Sequence, residues 1–162
     1  MYKFFTPMSN DRSIARRRPR SALTPKIGVL LRLPHEVVTA RMLSTLTDKG
    51  FDITPTELGV FLYPGPDGRR PIDLARQCHM TRQAMNYVLA GLERRGYIER
   101  RAGSDAAARV VCLTARGQEM IEPIRSCVAE VEREWAAHLG AERFKSLRDT
   151  LYDLALWLGK LS

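Results

Sequence analysis

Between Pro71 and Thr114 the hydrophobic period changes twice, and that succession restricts the folds open to the chain. In "PIDLARQC" (71–78), Ile72, Leu74, Ala75 and Cys78 fall on one face of a short helix. "HM" makes a turn. Thr81 then has the side chain of an N-cap, and Met85, Val88, Leu89 and Leu92 follow at spacings that define an inward helical stripe. Gly91 interrupts that helix at a cost of about 1 kcal/mol relative to alanine, and Gly96 stops it. "YIERRA" (97–102) and "RVVCLT" (109–114) alternate apolar and polar residues as strands do, with "GSDAAA" long enough to join them as a hairpin. So short a hairpin needs a helix to pack against.

Two short helices, a tight turn and a two-stranded ribbon make a winged helix-turn-helix over residues 54–114. Upstream, "HEVVTARMLSTLTDK" (35–49) places Val38, Met42, Leu43 and Leu46 at helical spacing, with Gly50 as its stop. "TPTE" (54–57) has the form of a capping box with proline at the first helical position. Downstream, Met120, Ile124, Val128, Val131, Trp135 and Leu139 mark one long helix, with Pro123 expected to bend it near its start. Phe144, Leu147, Leu151, Leu154, Leu158 and Leu161 mark another, on a seam with the coiled-coil period. The expected fold is mainly α with a small β-hairpin wing. Its divisions are a basic arm (1–34), a first helix belonging to the dimerisation region (35–53), the winged lobe (54–114) and C-terminal dimerisation helices (115–162).

The net charge of +8 is segregated. Residues 1–26 carry seven Lys/Arg against one acid, and residues 69–116 carry ten against four, whereas the other two stretches are each −2. An arm and one basic block point to a polyanion, nucleic acid first. No apolar run is long enough to span a bilayer. Cys78, Cys112 and Cys127 are odd in number and far apart, so neither disulfides nor a zinc site are suggested, and a reducing cytoplasm fits best. His35, His79 and His138 have no metal-binding spacing. No nucleophile–base pair, phosphate loop or carboxylate pair stands out, so no enzyme, cofactor or metal is expected.

With Met85, Val88, Leu89 and Leu92 turned inward, Arg82, Gln83, Asn86 and Tyr87 share the opposite face. A major groove about 12 Å wide admits one helix, where Gln or Asn pairs with adenine and Arg with guanine. Thr81, Arg94 and Arg95 are expected at phosphates or at the helix caps, and Arg100, Arg101, Asp105 and Arg109 on the wing. From about residue 35 onward the chain resembles the MarR (multiple antibiotic resistance regulator) family. The carrying stretches are "DLARQCHMTRQAMNYVLAGLERRGYIER" and "RVVCLTARG", with Leu113, Thr114 and Gly117 forming the step after the wing. The resemblance implies a homodimer on a pseudo-palindromic operator in double-stranded DNA, a repressor released by a small, often aromatic, effector. It also implies an effector cleft, for which Met42, Phe61 and Tyr63 are candidate lining residues, with core packing as the alternative for each. One departure is plain: the family wing tip reads aspartate, x, arginine, and here Ala107 stands in place of the arginine. Weaker minor-groove reading is expected.

Dimerisation has its own physical case. Each exposed leucine-sized side chain forgoes roughly 1.5–3 kcal/mol, and one small domain does not easily cover two apolar stripes. A second copy is the economical cover for Val131, Trp135, Phe144, Leu147, Leu151, Leu154, Leu158 and Leu161; the alternative is that both helices fold back on residues 35–63. Two other functions fit the residues: a protein-interaction module on a winged-helix scaffold, and a DNA-coating protein without sequence choice.

Overall fold

The computed structural model describes residues 24–62, 65–103 and 109–159. In chain order the elements are α1 (Ile27–Asp48), α2 (Pro55–Phe61), α3 (Pro71–Gln77), α4 (Arg82–Arg94), β1 (Ile98–Ala102), β2 (Arg109–Leu113), α5 (Ala115–Gln118), α6 (Ile121–Leu139) and α7 (Ala141–Trp157). The strands pair antiparallel, with Ile98 opposite Leu113 and Ala102 opposite Arg109. None of the described helices is long and apolar enough to cross a membrane.

The first helix begins at Ile27, well ahead of the expected 35, so residues 27–34 are helix rather than arm. Two properties hid it. Pro34 lies inside the helix, where proline normally signals a break. Ahead of it, Ile27, Val29, Leu30, Leu31 and Leu33 are apolar on every side, so no single face produces a helical period. The other deep boundary lies after the wing. The expected single long helix is divided into α5 and α6 by a turn at Glu119 and Met120. Pro123 has no N–H for the Glu119 carbonyl, and in the first turn of α6 that loss is tolerated.

Other local signals operate as chemistry requires. Thr54 and Glu57 form a complete capping box at α2. Thr81 Oγ1 accepts the Ala84 N–H at 3.1 Å and starts α4. His79, in the turn between α3 and α4, has φ 53°, a left-handed conformation unusual outside glycine.

The winged lobe closes over one core. Leu58 and Val60 of α2, Leu74 of α3, Met85, Leu89 and Leu92 of α4, Tyr97, Ile98 and Val111 of the ribbon, and Met120 of the α5–α6 turn are all essentially inaccessible. Met42 and Leu46, from the last turns of α1, enter the same core, so α1 is anchored in the winged lobe at its C-terminal end. Along its length α1 packs on α6, where Arg41 forks onto Glu134 at 2.6 and 2.9 Å. α6 in turn packs on α7.

The ribbon has an additional edge. Gly68 N–H donates to the Val111 carbonyl and Val111 N–H to the Arg69 carbonyl, both at 2.8 Å, while Asp67 Oδ1 accepts the Leu113 N–H at 3.0 Å. "PGPDG" reads from sequence only as a breaker, but its last residues turn the chain onto β2.

Candidate nucleic-acid interface

The reading helix has two unlike faces. Met85, Leu89 and Leu92 are 0% exposed, and Val88 is buried beside them. Arg82, Gln83, Asn86 and Tyr87 are exposed, Tyr87 at 82%. An exposed tyrosine ring costs apolar hydration that a solvated face would avoid. The apolar stripe therefore fixes the helix on the lobe and leaves one arginine, two amides and a phenol side by side in solvent.

The flanking cations divide into free and engaged groups. Arg94 is exposed on the last turn of α4, and Arg109 at the start of β2. Arg101 pairs with Glu99 across the exposed side of β1, and Arg100 Nε lies 3.4 Å from the Glu93 carboxylate. The exposed Arg101 pair contributes little and yields readily to a phosphate, whereas the Arg100 Nε is buried. Asp105 and Ala107 lie outside the described residues. Thr81 uses its hydroxyl as the cap described above.

Arg95, expected at phosphate or as a cap, is the C-cap residue of α4, and its side chain faces inward rather than toward a phosphate. Its Nε donates to the Gly91 carbonyl at 3.1 Å and its Nη1 to the Asp52 carbonyl at 2.8 Å, while Nη2 pairs with the buried Glu57. This arrangement also accounts for Gly91 in mid-helix. A Cβ there would stand 3.3 Å from Glu57 Oε1 and 3.5 Å from Arg95 Nη2, so the bare glycine makes room for the ion pair.

Four cations of the basic block, Arg69, Arg70, Arg76 and Arg116, have no role assigned from sequence. Arg69 is exposed on the added ribbon edge, and Arg116 lies 5.0 Å over the Tyr97 ring. Their membership of the 69–116 charge excess was the only available signal. Arg70 and Arg76 both bind Asp73, and the Arg70 hydrogen bond holds that carboxyl below its ordinary range.

The junction behind the wing is built by the leucine-threonine-x-x-glycine step. Thr114 Oγ1 donates to the Gly96 carbonyl at 2.6 Å and accepts the Gly117 N–H at 3.1 Å, and Thr114 N–H donates to the Tyr97 carbonyl at 3.2 Å. A Cβ on Gly117 would fall 2.0 Å from the Tyr97 oxygen, so only glycine fits.

The residues expected at a dimer surface separate into two groups. Val131 and Phe144 are buried within the single chain, because α6 packs on α1 and α7, and neither offers a face to another molecule. Trp135, Leu147 and Leu151 join Leu30, Leu33 and Val37 around an apolar groove of about 480 Å³. Leu154 and Leu158 are exposed beyond it, and Leu161 lies outside the described residues. Of the expected effector residues, Met42 and Phe61 are core, 3% and 5% exposed. Phe61 also borders a cleft of about 280 Å³ with Asp67, Leu113 and Ile121, and Tyr63 lies outside the described residues. All three cysteines are free thiols. Burial pushes the Cys78 thiol up, away from the reactive thiolate. Among the described residues no three His, Cys, Asp or Glu side chains gather as a metal site would require.

Comparison with known proteins follows the same geometry. A family model described as MarR family matches residues 51–109, which run from the approach to α2 to the start of β2. Among solved structures, the Mycobacterium tuberculosis MarR family protein Rv2887 in complex with salicylic acid is 26% identical, covering 81% of this chain and 97% of its own, with a TM-score of 0.58. The same protein in complex with DNA aligns at 24% identity over 81% of this chain and 98% of its own, TM-score 0.59. The S. aureus MepR–DNA complex is 23% identical over 83% of this chain and 99% of its own, TM-score 0.62, a likeness of fold. A search of curated protein sequences found no match. Over residues 51–109 the chain is thus similar to the MarR family, and over about four-fifths of its length its fold is like that of the MarR family protein Rv2887.

Proposed function

We propose that the protein binds double-stranded DNA as a homodimer at a pseudo-palindromic operator and represses transcription until a small aromatic ligand releases it. The observation that carries this reading is the exposed row Arg82, Gln83, Asn86 and Tyr87 on a helix whose other face is wholly buried. Arg82 suits guanine, Gln83 and Asn86 suit adenine, and Tyr87 presents a ring to a thymine methyl and a hydroxyl to phosphate. Arg94, Arg101 and Arg109 supply backbone contacts that position without specifying.

The homodimer is supported by the apolar groove and by the exposed leucines of α1 and α7, apolar surface that a second copy of the chain would cover. A two-fold pair places its reading helices about 34–36 Å apart, one turn of DNA. The ligand is supported by the salicylic acid complex of Rv2887. In this chain the cleft bordered by Phe61 is the accessible part of the expected effector region, since Met42 is closed off by core packing.

Selection of bound sequences from a random duplex pool, followed by footprinting, tests the proposal. A two-fold-symmetric consensus supports it. Equal affinity for all duplexes with a steep salt slope would mean coating without sequence choice. A monomer in solution scattering that shifts no duplex would overturn both dimer and DNA binding.

A further inference from the structure

Residues 49–54 lead from α1 into α2, and the Asp52 peptide within them is gripped on both sides. Its N–H donates to the Tyr97 hydroxyl at 3.1 Å, and its carbonyl accepts from Arg95 Nη1 at 2.8 Å. The same guanidinium reaches Gly91 in α4 and Glu57 in α2, and it lies 5.8 Å from the centre of the Tyr97 ring. Glu57 is itself fixed, because its Oε2 accepts from both the N–H and the hydroxyl of Thr54 at 3.0 Å. One side chain thus touches the end of the loop from α1, the start of α2, the last turn of α4 and the first residue of the wing.

A planar fork with several donors spread over fixed acceptors defines an angle as well as an energy. Well-packed apolar residues hold such a junction together at least as firmly as a part-buried ion pair does. What the fork adds is orientation. The two elements whose relative orientation matters here are α1, which lines the apolar groove, and α4, which carries the exposed polar row.

We infer that Arg95 is a positioning residue that sets the angle between α1 and α4 through the Asp52 peptide, and so sets the separation of the two reading helices in the homodimer. The inference rests on the DNA-binding reading above and adds to it a determinant of operator spacing. Loosening the fork lets α4 rock against α1, and the dimer then accepts half-sites at altered separations.

Two measurements on the full chain test this, using Arg95→Met, Arg95→Lys and Tyr97→Phe. The first is affinity for duplexes carrying the selected half-sites with the spacer changed by one or two base pairs. The second is amide hydrogen exchange at Asp52 and along α4 without DNA. Wild type should prefer one spacer by about tenfold or more, within the usual range of coupling between sites. Arg95→Met should reduce that preference below about threefold, with Arg95→Lys between, since one ammonium replaces only part of the fork. Asp52 exchange should accelerate in Tyr97→Phe, which removes a single hydroxyl and keeps the ring packed. An equal loss of affinity at every spacer, with the preference intact, would reduce Arg95 to a structural role and overturn the inference. If wild type binds no duplex, the DNA reading fails by itself. Exchange then decides the joint, and unchanged protection of Asp52 and α4 in Arg95→Met overturns it.

Discussion

Replacing Gly117 by alanine tests the junction between wing and helices directly. The new Cβ would stand 2.0 Å from the Tyr97 carbonyl oxygen and 3.1 Å from Leu113 Cδ2. Ordinary carbon–oxygen contact begins near 3.3 Å, so α5 and β1 must separate by roughly 1.3 Å. Neither has room to do so. The Tyr97 oxygen accepts the Thr114 N–H, and the Tyr97 side chain is 1% exposed. Overpacking of this kind costs about 1–3 kcal/mol, and the strained Thr114–Tyr97 bond about 1 more. Alanine's helix preference returns up to about 1 kcal/mol, leaving a net loss of roughly 1–3 kcal/mol. For a chain of this size each kcal/mol is about 2–4 °C in Tm, so a fall of several degrees is expected in thermal unfolding followed by circular dichroism. Gly28→Ala is the control: nothing lies within 4 Å of its Cβ, it is helical, and its Tm should hold or rise. If Gly117→Ala melts with wild type, the close approach at Tyr97 does not constrain the junction and the reasoning fails.

In α4, Gly91→Ala should change stability by less than about 1 kcal/mol, helix preference offsetting the 3.3 Å contact with Glu57; a urea midpoint showing a larger loss would mean that the ion pair cannot yield. Asn86→Ala and Arg82→Ala should each relax base preference at particular operator positions by about 1–3 kcal/mol, whereas Arg101→Ala should weaken all sequences alike and lower the salt slope by about one, as read in titrations on operator and random duplexes. The Arg41 guanidinium holds the Glu134 carboxyl below its ordinary value of 4.5. A depressed folded pKa means that this pair's small contribution is present at neutral pH and is lost as pH falls from the ordinary value through the lowered one. Glu134→Gln should therefore unfold with a weaker acid dependence below about pH 4.5, and an unchanged acid limb would show that the pair contributes nothing.

Local chemistry was legible from sequence wherever one residue type has one geometric use. The Thr54–Glu57 box, the Thr81 cap and the inward Met85, Leu89 and Leu92 all follow from spacing alone. The start of α1 did not, because helical period requires a polar face and residues 27–33 have too little of one. Arg95 lies among Arg94, Arg100 and Arg101 in a run where arginines outnumber the two glutamates, Glu93 and Glu99. Its partners Asp52 and Glu57 are about forty residues upstream, and nothing local separates a cation that binds phosphate from one that binds the protein. Val131 and Phe144 illustrate a related limit. A heptad seam identifies residues that seek burial, but not whether the cover comes from the same chain or another.

The apolar groove has one further consequence. Its walls are contributed by Leu30 to Val37 on one side and by Trp135, Leu147 and Leu151 on the other. A ribosome making this polypeptide releases the first wall more than a hundred residues before the second is complete. Until then the leucine-rich start of α1 lacks the other wall of the groove. In the proposed homodimer, pairing between copies would wait until both walls are made, and loss of either wall would remove the same surface.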